Sequence, residues 1–355
     1  MKRKYSILAA AVAATFAAGL SSHAAASVYA RSYFETENLS IVFSDNGGVS
    51  PGGVTVRSFN FFLNNTATLN GVSDIHQASC FGTPANNNCS QATPTLDADP
   101  ARVPIIINPP NNDFSFWGPG ADQYSRADSV IYTAQLTGDA ATSTEQIAEA
   151  ELQHTGQAQA SAEIQSTTGL TFAFTVTGAN TLEISFNADS AIFAQVFGEV
   201  CDPNGFKQKC IELADAKANR NVEFKLTADG GGGEVFLWRP NGIVGTGLEL
   251  GAGITGSEID PYDLQLDYQV TTLPCSNDGN PKPTACPDNP GINSGFYQLR
   301  ISGLQDGGNY TLGLNAVNSV SLTRQDIEAP EPTTLALLGM GLAGMGFASR
   351  RRKQA

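Results

Sequence analysis

The sequence predicts an all-β protein, an antiparallel β-sandwich or jelly-roll-like ectodomain followed by a single C-terminal transmembrane helix. Three observations carry this. Apolar and polar residues alternate with a period of two through most of the chain, as half-buried strands require. Gly is abundant at 36 residues and charged residues make up only 15% of the 355, a composition that suits strands and turns better than helices. No internal repeat stands out, which disfavours solenoids and propellers.

The elements follow in order. Leu170, Phe172, Phe174 and Val176 alternate with Thr171, Ala173 and Thr175, and Leu182, Ile184 and Phe186 with Glu183 and Ser185. Val222–Phe224–Leu226, Tyr297–Leu299–Ile301 and Tyr310–Leu312–Leu314 repeat the pattern. The last two runs are joined by Gly303–Asn309, read as a hairpin-like connection. In 147–166, Glu149, Glu151 and Gln153 oppose Ala148, Ala150 and Leu152, and the alternation resumes at Ala158, Ala160, Ala162 and Ile164. Ala and Glu favour helix, but strict alternation argues for a hairpin of two Ala-lined strands, and pattern outweighs propensity. Segment 83–122 carries seven prolines, a density that forbids long central strands and reads as an excursion over the surface. One exported domain over residues 27–327 is expected.

Charge narrows the function. The formal net charge is −14, and seven of the 20 basic residues lie at the two ends. Between the ends, 13 basic residues face 34 acidic ones, a balance of −21. Such a surface repels phosphate backbones, so nucleic acid is excluded as a partner.

The ends are organised differently from the middle. Lys2-Arg3-Lys4, an apolar run from Ile7 to Leu20 and a small-residue stretch form the three regions of a secretory signal peptide over residues 1–26. Ala24 and Ala26 fit the signal peptidase site, placing the cut between Ala26 and Ser27, with a cut after Ala24 as the alternative. At the other end, residues 328–355, Pro330-Glu331-Pro332 precedes an uncharged run over 333–349 and a basic tail, Arg350, Arg351, Arg352 and Lys353. Seventeen residues at about 1.5 Å each span roughly 25 Å, short for a membrane helix. The basic tail holds to the cytoplasmic side, and four glycines in the run suit a temporary stop better than a lasting anchor.

Pro-Glu-Pro, a short Gly- and Leu-rich span and a terminal Arg cluster resemble the PEP-CTERM sorting signal of Gram-negative bacteria. The resemblance implies recognition by an exosortase, a membrane cysteine protease-transpeptidase, with cleavage near the motif. Four further segments are similar to exosortase-dependent surface proteins: Tyr124-Ser-Arg-Ala-Asp128, 162–172, Trp238-Arg-Pro-Asn-Gly242 and Ser321-Leu-Thr-Arg324. That family implies bacteria making exopolysaccharide, biofilm or floc. It carries no catalytic residues onto this chain.

The six cysteines form three local pairs: Cys80 with Cys89, Cys201 with Cys210, and Cys275 with Cys286. Export and proximity favour sequential disulfides over a metal centre, since no C-x-x-C is present.

Candidate chemistry is sparse. His76 and His154 are read as surface residues of polar loops, and no G-x-S-x-G elbow accompanies them. A glycosidase needs two carboxylates, and the sequence singles out no pair. Asp97 with Asp99, and Asp260 with Asp263, are candidate loop ligands for calcium, the one cofactor considered, with solvated surface acids the preferred reading. Trp117 and Trp238 are the candidate glycan contacts, with core burial preferred for both. The expectation is thus a non-enzymatic surface or matrix protein handled by signal peptidase and exosortase, with exopolysaccharide as a partner. A carbohydrate-binding or carbohydrate-active protein on the same route is the alternative.

Overall fold

In a computed structural model, residues 27–45, 48–49, 53–83, 85–87, 95–104, 111–118, 123–133, 142–152, 158–165, 170–197, 211–271 and 293–326 are described. Eighteen strands follow one another: β1 Ser27–Asp45, β2 Gly48–Val49, β3 Val54–Leu69, β4 Val72–Thr83, β5 Asn86–Asn87, β6 Thr95–Val103, β7 Tyr124–Thr133, β8 Thr142–Leu152 and β9 Ala158–Gln165. Then come β10 Leu170–Val176, β11 Thr181–Phe197, β12 Ile211–Ala228, β13 Gly233–Trp238, β14 Leu248–Leu250, β15 Thr255–Ile259, β16 Asp267–Thr271, β17 Asn293–Ser302 and β18 Asn309–Asp326. All pairings are antiparallel, as the alternation predicts.

The strands form two sheets. The first runs β15-β17-β11-β1-β8-β7-β6, with β2 on β1. The second runs β14-β13-β12-β18-β10-β3-β4-β5, with β16 on β12 and β9 on β18 and β3. Each draws strands from early and late in the chain. The longest ladder pairs β12 with β18, from Ile211 opposite Asp326 to Ala228 opposite Tyr310. At about 3.3 Å per residue such strands are about 60 Å long.

The inner faces interlock in two dissimilar halves. One half is aromatic: Phe186 stacks on Tyr297 (5.0 Å between centroids) and Phe224 (5.3 Å), and Phe224 lies against Trp238 (5.1 Å). The other half is lined by alanine, including Ala30, Ala148, Ala160, Ala162, Ala216 and Ala218. Small side chains leave little apolar volume there, and polar links tie sheet to sheet. Ser32 Oγ donates to Asn318 Oδ1 (2.8 Å), whose Nδ2 donates to Gln146 Oε1 (2.9 Å). Ser129 Oγ donates to Asn65 Oδ1 (2.5 Å), and Ser125 Oγ to the Ser161 carbonyl (2.6 Å). Buried polar groups are tolerated when so satisfied.

Turn chemistry matches the sequence locally. Leu69 pairs with Val72 across Asn70-Gly71, both at positive φ (50° and 80°), the two-residue hairpin turn that Asn-Gly favours. Pro100 sits where the register between β6 and β7 breaks, between Ala98 and Ala101, on an edge strand. A missing N–H is harmless there. Segment 83–122 therefore does hold a nine-residue strand, though not a central one.

Two connections correct the expectations. β8 and β9 are strands, as read, but they do not form a hairpin: β8 pairs with β1 and β7, and β9 with β18 and β3. Their alanine faces oppose each other across the sandwich. Alternation fixes which face is buried but not which strand is the neighbour. Likewise Gly303–Asn309 is no hairpin, since β17 lies in the first sheet and β18 in the second. Leu304, buried in this connection, draws it over the end of the core. The arch stacks on the β10–β11 crossover: Gly303 and Leu304 N–H donate to the Asn180 carbonyl (3.0 and 3.1 Å), and Val176 N–H to the Gly308 carbonyl (2.9 Å).

Among the described residues no helix is long and apolar enough to cross a membrane. The expected span, 333–349, lies outside the described residues, as does the signal peptide. Cys80, on β4, is disulfide-bonded. The other five cysteines, Cys89, Cys201, Cys210, Cys275 and Cys286, lie outside the described residues. The expected pairing of Cys80 with Cys89, Cys201 with Cys210 and Cys275 with Cys286 therefore falls outside what the structure describes.

Candidate functional site

The residues singled out from sequence do not converge on one site. Pro330-Glu331-Pro332, the basic tail, Ala26 and His154 lie outside the described residues, and Ser27 opens β1. Trp238 is fully buried, so the glycan-contact reading fails for it: its ring is part of the aromatic core. His76 sits on strand β4 rather than in a loop, its Nε2 3.2 Å from Asp74 Oδ1. Asp97 and Asp99 are on strand β6, also not in a loop.

Trp117 belongs to a strap, residues 111–118, that lies on the outer face of the first sheet. Phe114 and Phe116 of the strap pack on Tyr33, Ile147 and Ala191. An aromatic-rich segment between two edge strands buries itself on the nearest face because leaving three rings in water costs several kcal/mol. Beneath the strap lies a buried ion pair. Arg126 on β7 donates from Nε and Nη2 to Glu149 Oε2 of β8 (2.9 and 2.7 Å). Its Nη1 donates to the Asp113 carbonyl (2.9 Å) and Nη2 also to the Ser115 carbonyl. Trp117 covers the guanidinium, its ring centre 4.1 Å from Cζ. Glu149 further accepts from Tyr29 Oη (2.5 Å), Gly118 N–H (3.0 Å) and Trp117 N–H (3.3 Å). Arg31 beside it lies over Phe116, 3.9 Å from the ring centre. Burial, then the Glu149 charge, raise the Tyr29 phenol above its ordinary range, so it stays protonated and donating.

Glu149 is thus saturated by donors and enclosed, an anchor for the strap rather than a base with a free lone pair. Sequence reasoning did not find this pair. The available signal was Arg126 inside Tyr124–Asp128 together with three aromatics in a proline-rich connection.

Next to it Asp97 and Asp128 share Asn112. Asn112 Nδ2 and Asn111 Nδ2 donate to Asp97 Oδ2 (3.0 and 2.7 Å). The backbone N–H groups of Ser129 and Asn112 reach the Asp128 carboxyl. Burial, reinforced by the charge of Asp97, pushes the Asp128 carboxyl up to about 7.

At the other end of the molecule, Asp260 joins two loops. Its Oδ2 accepts the N–H groups of Asn241 (2.6 Å) and Gly242 (3.0 Å), while Gly242, at φ 75°, has no room for a Cβ against Asp263 N. This explains Asn241-Gly242 structurally. Burial pushes the Asp260 carboxyl up to about 6, with Glu258 and Asp263 adding to it against the two N–H bonds. A carboxyl whose folded value exceeds its unfolded value favours the folded state at low pH, and this contribution is lost as pH rises from about 4 through about 6. Asp260→Asn keeps the acceptor oxygen without the charge. Thermal unfolding should show variant and wild type differing little near pH 4, with the variant more stable by about 1–3 kcal/mol at pH 7.5. Equal stability at pH 7.5 would refute the assignment.

Exposed rings lie elsewhere than predicted. Phe81 is 56% exposed, Phe296 46%, and Tyr132 and Tyr262 43% each. The crevice among Phe34, Leu39, Ile131, Thr144, Gln146 and Leu170 holds no titratable group.

Neither the curated proteins nor the solved structures compared with this chain give a match. A family model does match, that of the PEP-CTERM protein-sorting motif, over residues 328–353. The match begins two residues after the last strand ends and covers Pro330-Glu331-Pro332 and the basic tail. It implies export and processing by an exosortase, with sorting to the cell surface. The chain thus carries a PEP-CTERM sorting motif over residues 328–353.

Proposed function

We propose that this is a non-enzymatic cell-surface or matrix protein of a Gram-negative bacterium, contributing to its exopolysaccharide coat, biofilm or floc. A signal peptide over residues 1–26 directs export, and exosortase processing then releases or re-anchors the β-sandwich. The sorting motif at 328–353 carries this reading. The body it delivers supports it: the buried charges under the strap, Arg126 and Glu149, are spent on each other and on holding the strap down. A deletion strain should aggregate less and retain less matrix than its parent, with glycan cleavage unchanged. Normal aggregation and matrix composition would refute the proposal.

Carbohydrate binding is the second reading, favoured by the exposed rings Tyr262 and Phe296. An aromatic face offers sugars an apolar platform and a partial negative charge. A glycan-array signal lost on Tyr262→Ala or Phe296→Ala would establish it; no signal for the wild type would dismiss it.

A further inference from the structure

Beneath the strap, three oxygens are buried without a hydrogen-bond donor: Asp97 Oδ1, Asp128 Oδ1 and Asn112 Oδ1. They belong to residues already in contact, since Asn112 donates through its side chain to Asp97 and through its backbone to Asp128. Asp128 is 2% exposed. The second oxygen of Asp97 is occupied by two amide donors, so each residue turns a spent side and an unspent side. A buried acceptor left without a donor costs about 1–3 kcal/mol, and two adjacent carboxylates repel each other.

The nearest cation does not resolve this. Arg126, two residues from Asp128 on the same face of β7, gives its Nε, Nη1 and Nη2 groups to Glu149, Asp113 and Ser115. Three buried side-chain oxygens, two of them on carboxyl groups and none with a hydrogen-bond partner, are what a hard divalent cation requires. We propose that Asp97, Asp128 and Asn112 form a calcium site that fastens the strap to strands β6 and β7. Three side-chain oxygens leave the remaining positions to backbone carbonyls and water, which suits calcium's six to eight flexible ligands better than the strict octahedron of magnesium. Two carboxylates place the affinity in the range of extracellular modules, Kd on the order of 10⁻⁴–10⁻³ M. Residues 111–118 would then be held by an ion pair at one end and by the metal at the other.

The test uses the purified full chain with its cysteines oxidised, stripped with EDTA and titrated with calcium or magnesium chloride. Calcium should raise the thermal midpoint by several degrees with half-saturation at about 10⁻⁴–10⁻³ M, and magnesium by less. Terbium bound in its place should emit on tryptophan excitation, because Trp117 stacks on Arg126, about 7 Å along the strand from Asp128. Excess calcium should quench that emission. Asp128→Asn and Asp97→Asn should abolish both effects, whereas Asp260→Asn should leave both intact. Asn112→Ala, a milder change, should weaken calcium binding about tenfold if the acidic variants fail to fold. A wild-type chain that neither shifts with calcium nor sensitises terbium overturns the proposal. An Asp128→Asn chain more stable than a calcium-indifferent wild type at pH 7.5 also overturns it, assigning the spare oxygens to a proton shared between the two carboxyls.

Discussion

Arg126→Ala should lower the stability of the sandwich by about 3–5 kcal/mol, the usual cost of removing one partner of a buried pair. In a body of this size that is roughly a 5–10 °C fall in the thermal midpoint. The loss is large because Glu149, fully buried on β8, loses two guanidinium bonds and its only described counter-ion. The carbonyls of Asp113 and Ser115 lose their donor at the same time, and Trp117 loses the cation under its ring. Arg126→Lys should recover only part, since an ammonium cannot serve Glu149 and two carbonyls in one planar fork. The double variant Arg126→Met/Glu149→Leu should recover only part: it removes both buried charges together, but leaves Tyr29 Oη and the Trp117 and Gly118 N–H groups without their acceptor. Thermal unfolding followed by near-ultraviolet circular dichroism measures all three. A loss below about 1 kcal/mol for Arg126→Ala would mean that the pair is worth no more than a surface one.

The second large effect concerns sorting. Replacing Pro330-Glu331-Pro332 by Ala-Ala-Ala should leave an uncut protein held at the membrane. Two prolines fix φ and disfavour helix, presenting an extended peptide of the kind a protease cleft accepts. Replacing Arg350, Arg351, Arg352 and Lys353 by Asn should impair retention and processing, because the basic cluster stops translocation. The C-terminal peptide of the mature protein, identified by mass spectrometry in cells with and without exosortase, decides the matter. If the wild-type protein keeps Phe347 and the Arg cluster in both strains, residues 333–349 are an ordinary anchor and the motif is not used.

The sequence made strands legible where one face is apolar, as in Leu170–Val176 and Tyr297–Ile301, because a period of two is a property of single strands. It also placed Ala148, Ala150, Ala160 and Ala162 on buried faces. It misled on connections, since a strand that crosses to the other sheet and one that turns back carry the same alternation. The site was less legible. Arg126 and Glu149 are 23 residues apart and meet only because β7 and β8 are neighbours in register, with Arg126 directly opposite Glu149. The aspartates were noticed by local spacing, Asp97 with Asp99, but the partner the fold supplies to Asp97 is Asp128, contributed by the adjoining strand. Trp238 carried no mark distinguishing a core ring from an exposed one, whereas Val235-Phe236-Leu237 before it, all buried, did.

The position of β18 carries a consequence for biogenesis. This strand is an interior member of the second sheet, bonded to β12 along its length on one side and to β10 and β9 on the other. It is also the last of the described strands, and the sorting motif starts two residues beyond its end at Asp326. During export the second sheet therefore stays split until β18 itself has been delivered, and contacts so distant in sequence form slowly. The strand that closes the sheet and the sorting motif are neighbours in the order of the chain. A chain cut before β18 has docked would leave the rest of the sandwich with an open slot and two unpaired strand edges. The order of synthesis thus gives the sorting machinery a substrate whose readiness and whose folding are completed by the same stretch of chain.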